Sequence, residues 1–138
     1  MMMSDLGGLM LTDNDAERIA VAWDERGSDG KIRTSRTAWA FEQLFDLCMS
    51  SSVEDAWKVT ELLINNNRLR SDDDMRIAAL AAGPIEWLLT YHGQLVIDRY
   101  EELAKSDEFF RSLLGGVWRS GISDFVWARV QAVSGPKW

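Results

Sequence analysis

Residues 80–93 read LAAGPIEWLLTYHG, and the parsing of that stretch decides the fold. Apolar residues recur at helical spacing on both sides of a Gly-Pro break. Gly83 is placed to end one helix, and Pro84 to occupy the first turn of the next, where its missing N–H costs nothing. Glu86 then falls in that first turn, near the positive end of the helix dipole, and His92 in the last turn, before Gly93 as a stop residue. Glu86 and His92 stand six positions apart, about 600° of helical rotation, so they face different ways and cannot easily share a proton within one helix. The stretch predicts a helix corner with polar punctuation, not an acid/base pair.

Working outward, the same periodicity runs through nearly the whole chain. Residues 13–25 open on acids and carry Ala16, Ile19, Ala20 and Trp23 at spacings of three and four. A polar, glycine-containing loop follows. Residues 35–49 place Ala38, Phe41, Leu44, Phe45 and Cys48 on one face, and after a short serine link Val53, Ala56, Trp57, Thr60, Leu63 and Ile64 form the next stripe. Ser71, Ser106 and Ser123 each precede aspartate and an apolar run, the pattern of a hydroxyl cap followed by first-turn carboxylates. They predict helices over about 72–82, 84–92, 94–105, 107–118 and 123–134. No alternating β pattern competes. The expected fold is all-α, with antiparallel helix pairs stacked into a compact or slightly superhelical, helical-repeat-like single domain over residues 13–134. Residues 1–12 are expected to be a flexible leading segment and 135–138 a tail.

The chain has 138 residues, long enough to bury a core without disulfide or metal staples. It has one cysteine, Cys48, on an apolar stripe, where it reads as a small core hydrophobe. The leading residues lack a basic region and a long apolar run, and no stretch reaches the length of a membrane span, so a cytoplasmic protein is expected. Of seven tryptophans, Trp23, Trp39, Trp57, Trp87, Trp118 and Trp127 lie on or beside apolar stripes and are expected in the core. Trp138 is expected to be exposed or to lie over a groove.

Catalytic and metal chemistry find little foothold. One histidine and one cysteine cannot supply a zinc site. The SDDDM run at 71–75 lacks the alternating ligands of a calcium loop, and its consecutive positions splay around a helix. Neither glycine pair sits in a phosphate-loop context. The expectation is no enzyme, no cofactor and no metal; an unrecognised carboxylate pair is the weakest of the alternatives.

Charge is the remaining handle. The net charge is −7, which opposes contact with nucleic acid or anionic membrane. Residues 71–110 hold nine acids and three bases, while 111–138 hold one acid and four bases. Asp72, Asp73, Asp74, Glu101, Glu102, Asp107 and Glu108 gather at helix starts and exposed positions. They are the candidate protein-binding residues, an acidic face that would dock a partner with a basic surface.

The segments AAGPIEWLLTYHGQLVID at 81–98 and GGVWRSGISDFVWARV at 115–130 carry a further signal. Together with the tryptophan-bearing TAWAFEQLFDL and EDAWKVTELLI, they resemble a family of small bacterial domains of unknown function, over about residues 36–133. The positions that carry the resemblance are Gly83, Pro84, Glu86, His92, Gly93, Asp98, Gly115, Trp118, Asp124, Trp127 and Arg129. The resemblance supports the helical fold and implies no activity; its polar residues Glu86, Asp98, Asp124 and Arg129 are candidates for an inter-helix network. The functional expectation is a non-catalytic acidic protein-binding module, such as an immunity or inhibitor protein that blocks a nucleic-acid-acting target by charge mimicry. The alternative is a structural or assembly domain that uses tryptophans and apolar grooves for self-association or subunit contacts.

Overall fold

A computed structural model describes residues 11–29, 37–68 and 74–138. The described residues form α1 (Asp13–Asp29), α2 (Ala38–Met49), α3 (Val53–Asn67), α4 (Asp74–Leu80), α5 (Glu86–Ser106), α6 (Glu108–Leu114) and α7 (Asp124–Val133). They contain no strand.

The first three helices are built from the stripes their spacing predicts. Ala16, Ile19, Ala20 and Trp23 of α1 are buried, as are Leu44 and Cys48 of α2 and Ala56, Trp57, Thr60, Leu63 and Ile64 of α3. The link Ser50–Ser52 is three residues long, so α3 folds back along α2. Helix α1 packs against both, and also meets α4. Beside the apolar seam, Asn67 Nδ2 donates to Asp24 Oδ1 at 3.1 Å and to the Leu63 carbonyl at 2.8 Å, a buried polar tie between α3 and α1. Leu11 and Thr12, assigned by the sequence to the leading segment, are held in place. Leu11 is buried, its N–H donates to Asp55 Oδ1 at 2.9 Å, and its carbonyl accepts from Lys58 Nζ at 3.0 Å.

The Gly-Pro break falls where it is expected. Helices α4 and α5 meet across a kink within Ala81–Ile85. Gly83, at φ −101° and ψ −115°, is the non-helical residue at that kink. The buried Tyr100 hydroxyl donates to the Ile85 carbonyl at 3.0 Å, tying the middle of α5 to its own entry.

The break expected at His92–Gly93 is present: His92 leaves helical angles, with φ −138° and ψ 32°, and a kink there joins the two helical segments of α5. Leu88 and Leu89 before the kink, and Val96, Ile97, Tyr100 and Ala104 after it, are all buried, so both halves have a core to cover. Next to that break, Gly93 also serves close approach: a Cβ placed there would lie 2.9 Å from Val126 Cγ2 on α7.

Helix α6 is also shorter than expected, ending at Leu114. Its last carbonyls need donor partners, and the chain's tail supplies them. Gly135 N–H donates to the Arg111 carbonyl at 2.9 Å, Trp138 N–H to Gly115 at 3.1 Å, and the Trp138 indole to Ser112 at 2.8 Å. A side chain on Gly115 would collide with the Pro136 carbonyl, and one on Gly116 with the Trp138 ring. The glycine pair is the seat of the tail. Ser123 caps α7 as its position suggests, accepting from Val126 N–H at 3.3 Å. At α6 the cap is Asp107 rather than Ser106, and Ser71 lies outside the described residues.

The approach of α7 to α5 yields a direct test. Gly93→Ala should lower unfolding stability by about 1–3 kcal/mol through overpacking. In a denaturant-unfolding cycle with Val126→Ala, the double variant should be more stable than the sum of the single losses. An unchanged midpoint in Gly93→Ala would mean that Val126 does not sit on this residue.

Candidate protein-binding surface

The seven carboxylates expected to form one acidic face do not share one fate. Asp72 and Asp73 lie outside the described residues, and Asp74 opens α4. The other four fall at the end of α5 and the start of α6, where two are consumed by cations from distant parts of the chain. Glu101 accepts from Arg129 of α7 at 2.8 and 2.5 Å, and Asp98 accepts from the same guanidinium at 2.6 Å. Asp107 takes both terminal nitrogens of Arg68, at 2.8 and 2.5 Å, while one of its oxygens caps α6 through Phe110 N–H at 3.2 Å. Hydrogen bonding to Arg68 holds the Asp107 carboxyl below the usual aspartate range, and Arg129 does the same for Glu101. Both carboxylates act as fasteners, joining α6 to the end of α3 and α7 to α5. Glu102 and Glu108 are exposed and have no ion-pair partner among the described residues.

Beside Glu102 lies an open groove of about 670 Å³ between α3 and α5. Trp57 and Glu61 line it from α3, and Arg99, Glu102, Leu103 and Lys105 from α5. Trp57 is backed by Tyr100, with ring centroids 5.9 Å apart, and overlaid by the Arg99 guanidinium 5.4 Å from its centroid. One cation of the lining is engaged elsewhere, since Arg99 Nη2 bonds Glu54 at 2.7 Å, while the exposed Lys105 stands one turn beyond Glu101 with no ion pair among the described residues. Glu61 has no partner among the described residues. It was not among the expected site residues, although its position one turn after Trp57 on α3 puts both on one face.

A second surface forms where α5, α7 and the loop after α6 meet. The Glu86 carboxylate accepts from Trp118 N–H at 2.9 Å and from the Ser120 side chain, so this first-turn acid anchors the loop. Ser120 is held at φ 39°, in the left-handed region. Burial raises the Glu86 carboxyl above its ordinary value despite those two hydrogen bonds. His92 lines a separate open pocket of about 340 Å³ with Gly93, Gln94, Ser123 and Val126. Its buried Nε2 has no hydrogen-bond partner among the described residues. The expected four-residue network is only partly assembled: Asp98 meets Arg129, Asp124 pairs with Arg119, and Glu86 serves the loop.

The tryptophans also divide. Trp23 and Trp57 are buried, and Trp87 and Trp127 pack half-buried against the core. Trp39 and Trp118 are exposed, against expectation, with Trp118 at 67%. Trp39 lies under the Arg18 guanidinium, and Trp118 sits on the anchored loop, whose neighbour Val117 fills the core position instead. Leu95 on α5 and Phe125 on α7 are exposed as well. Cys48 is buried, and its thiol is pushed up to about 12 by that burial, which leaves it protonated and inert.

A family of unknown function, DUF6869, matches residues 28–137. The chain belongs to this family. Membership agrees with the resemblance carried by the AAGPIE and GGVW segments and assigns the family no activity. No curated protein and no solved structure matches the chain. Among the described residues of this DUF6869 member, no three side chains gather as metal ligands, and no helix is long and apolar enough to cross a membrane.

The Arg68–Asp107 pair predicts a pH signature. Asp107→Ala should cost about 1–2 kcal/mol, from the lost helix cap and ion pair together. Because the folded-state pKa of Asp107 is lowered, its contribution is complete above the ordinary aspartate range and is lost as pH falls through the lowered value. Asp107→Asn keeps a capping oxygen, so it should mainly flatten this acid limb in unfolding measurements across pH. An acid limb identical to that of the parent protein would remove the pair from the stability account.

Proposed function

We propose that this chain is a non-catalytic, acidic protein-binding module that docks a partner with a basic surface. The observation that carries the reading is the pair of unneutralised, exposed carboxylates Glu102 and Glu108, which flank the α5–α6 junction beside an open groove. The net charge of −7 adds a long-range field of the same sign. In its narrower form the module is a cytoplasmic immunity or inhibitor protein that offers carboxylates in place of phosphates to a nucleic-acid-acting target. The net charge supports that form, and a free buried cysteine accords with a reducing compartment.

A second reading rests on a different observation. Leu95 at 70%, Trp118 at 67% and Phe125 at 59% exposure leave large apolar side chains in solvent on α5, on the loop after α6 and on α7. Exposed apolar groups of this size favour association with another subunit or a second copy. Under this assembly reading, replacing Leu95 and Trp118 with serine should dissociate an oligomer seen by light scattering.

The two readings separate on salt and charge. With a partner recovered from native-host extract, Glu102→Lys with Glu108→Lys should slow association roughly tenfold at low salt and less at moderate salt. The change should lie mainly in the on-rate. Lys137→Glu, which alters the tail, should not slow it. Equal association rates for the parent and the double-reversal variant at both salts would move the interface away from the α5–α6 junction.

A further inference from the structure

Resting on the protein-binding reading, the structure points to a more specific role for the α3–α5 groove. We propose that it receives a single cationic side chain, arginine or lysine, from an extended segment of the partner. The volume, about 670 Å³, is in the range of sites that hold a small ligand or one long side chain with its neighbours. Leu103 and the edge of Trp57 offer apolar surface for an aliphatic stem, and Glu61 and Glu102 stand on opposite helices to receive the charged head.

Cation selectivity follows from how the lining charges are spent. By count the lining is balanced, with Glu61 and Glu102 against Arg99 and Lys105. By engagement it is not. Arg99 is drawn to Glu54 at 2.7 Å and lies over Trp57, which leaves two unpaired groove carboxylates against one unpaired cation, Lys105, among the described residues. Arg99 Nη1 lacks an acceptor, but it is closed off from solvent and so gives an anion in the groove nothing to bind. An anionic ligand would also meet the repulsion of a chain carrying −7. The groove is open, so the head group keeps part of its water and one contact is individually weak. Specificity for a whole partner then comes from this anchor acting with the exposed Glu108 nearby.

The test uses small probes and needs no identified partner. Isotope-labelled protein is titrated with Nα-acetyl-arginine amide, Nα-acetyl-lysine amide and the neutral isostere Nα-acetyl-citrulline amide, and backbone shifts are followed by NMR. The two cationic probes should give saturable shifts confined to residues 57–61 and 99–106. Citrulline should bind about tenfold more weakly, because it loses both carboxylate contacts. Glu61→Gln and Glu102→Gln should each weaken the arginine probe about two- to fivefold and together about tenfold, while Glu108→Gln leaves it unchanged. The substitutions replace exposed carboxylates with amides of the same shape, and an unaltered spectrum without probe verifies the fold. Shifts that fall elsewhere, equal binding of citrulline, or indifference to both Gln variants would overturn the groove assignment. If those results came with slowed partner association in the Glu102/Glu108 reversal variant, the protein-binding reading would stand and only the groove would fall.

Discussion

Helix α5 must cover a core along its entire length while admitting α7 against its middle, and most of the structure depends on meeting both demands. Leu88 and Leu89 are buried before the kink and Val96, Ile97, Tyr100 and Ala104 after it. The chain leaves helical geometry at His92, so the segments on either side meet the core at their own angles, and it uses the missing Cβ of Gly93 to let Val126 sit against the backbone. Tyr100 then reaches back to the Ile85 carbonyl, so the entry and middle of the helix are tied by a buried hydrogen bond. Such a bond is costly to leave half-made in an apolar interior, which fixes the angle of the corner.

Around that frame, polar groups do different work according to which helix end they meet. Asp107 faces two donors at once, the free amides of α6 and the guanidinium of Arg68, and it satisfies both. Glu86 is a first-turn acid whose main partners are the amide of Trp118 and the side chain of Ser120, so it serves the loop as much as the helix dipole. Arg129 collects Glu101 and Asp98 while it lies over the Phe125 ring. These contacts fasten α6, α7 and the intervening loop to α3 and α5. The net charge already counts these pairs; the surface field is shaped by exposed carboxylates outside them, which include Glu61, Glu102 and Glu108 and, on α1 and α2, Glu17, Glu42 and Asp46.

The α6 terminus shows a related economy of parts. Its carbonyls are capped by the tail, and the two glycines that end the helix leave space for Pro136 and Trp138. The GGVW segment thus reads as a packing requirement: a backbone-to-backbone approach at Gly115, an indole laid on Gly116, and Val117 returned to the core.

Much of the fold is legible in the residues alone because it is local. The stripes of α1, α2 and α3, the break at Gly83–Pro84 and the Ser123 cap each depend on side chains within a turn or two of one another, and helical periodicity records such relations directly. The burial of Cys48 follows from the same stripe. What the sequence could not decide is everything set by partners far along the chain. Whether a side chain fits at Gly93 depends on Val126, thirty-three residues away. Whether Glu101 or Asp107 is free depends on Arg129 and Arg68, and whether Trp118 is core depends on a loop that Glu86 holds outward. Glu61 joins Glu102 in one groove only because α3 and α5 come together there. Helical spacing determines which face of a helix is apolar; which charge on the other face remains unpaired is decided by what packs beside it.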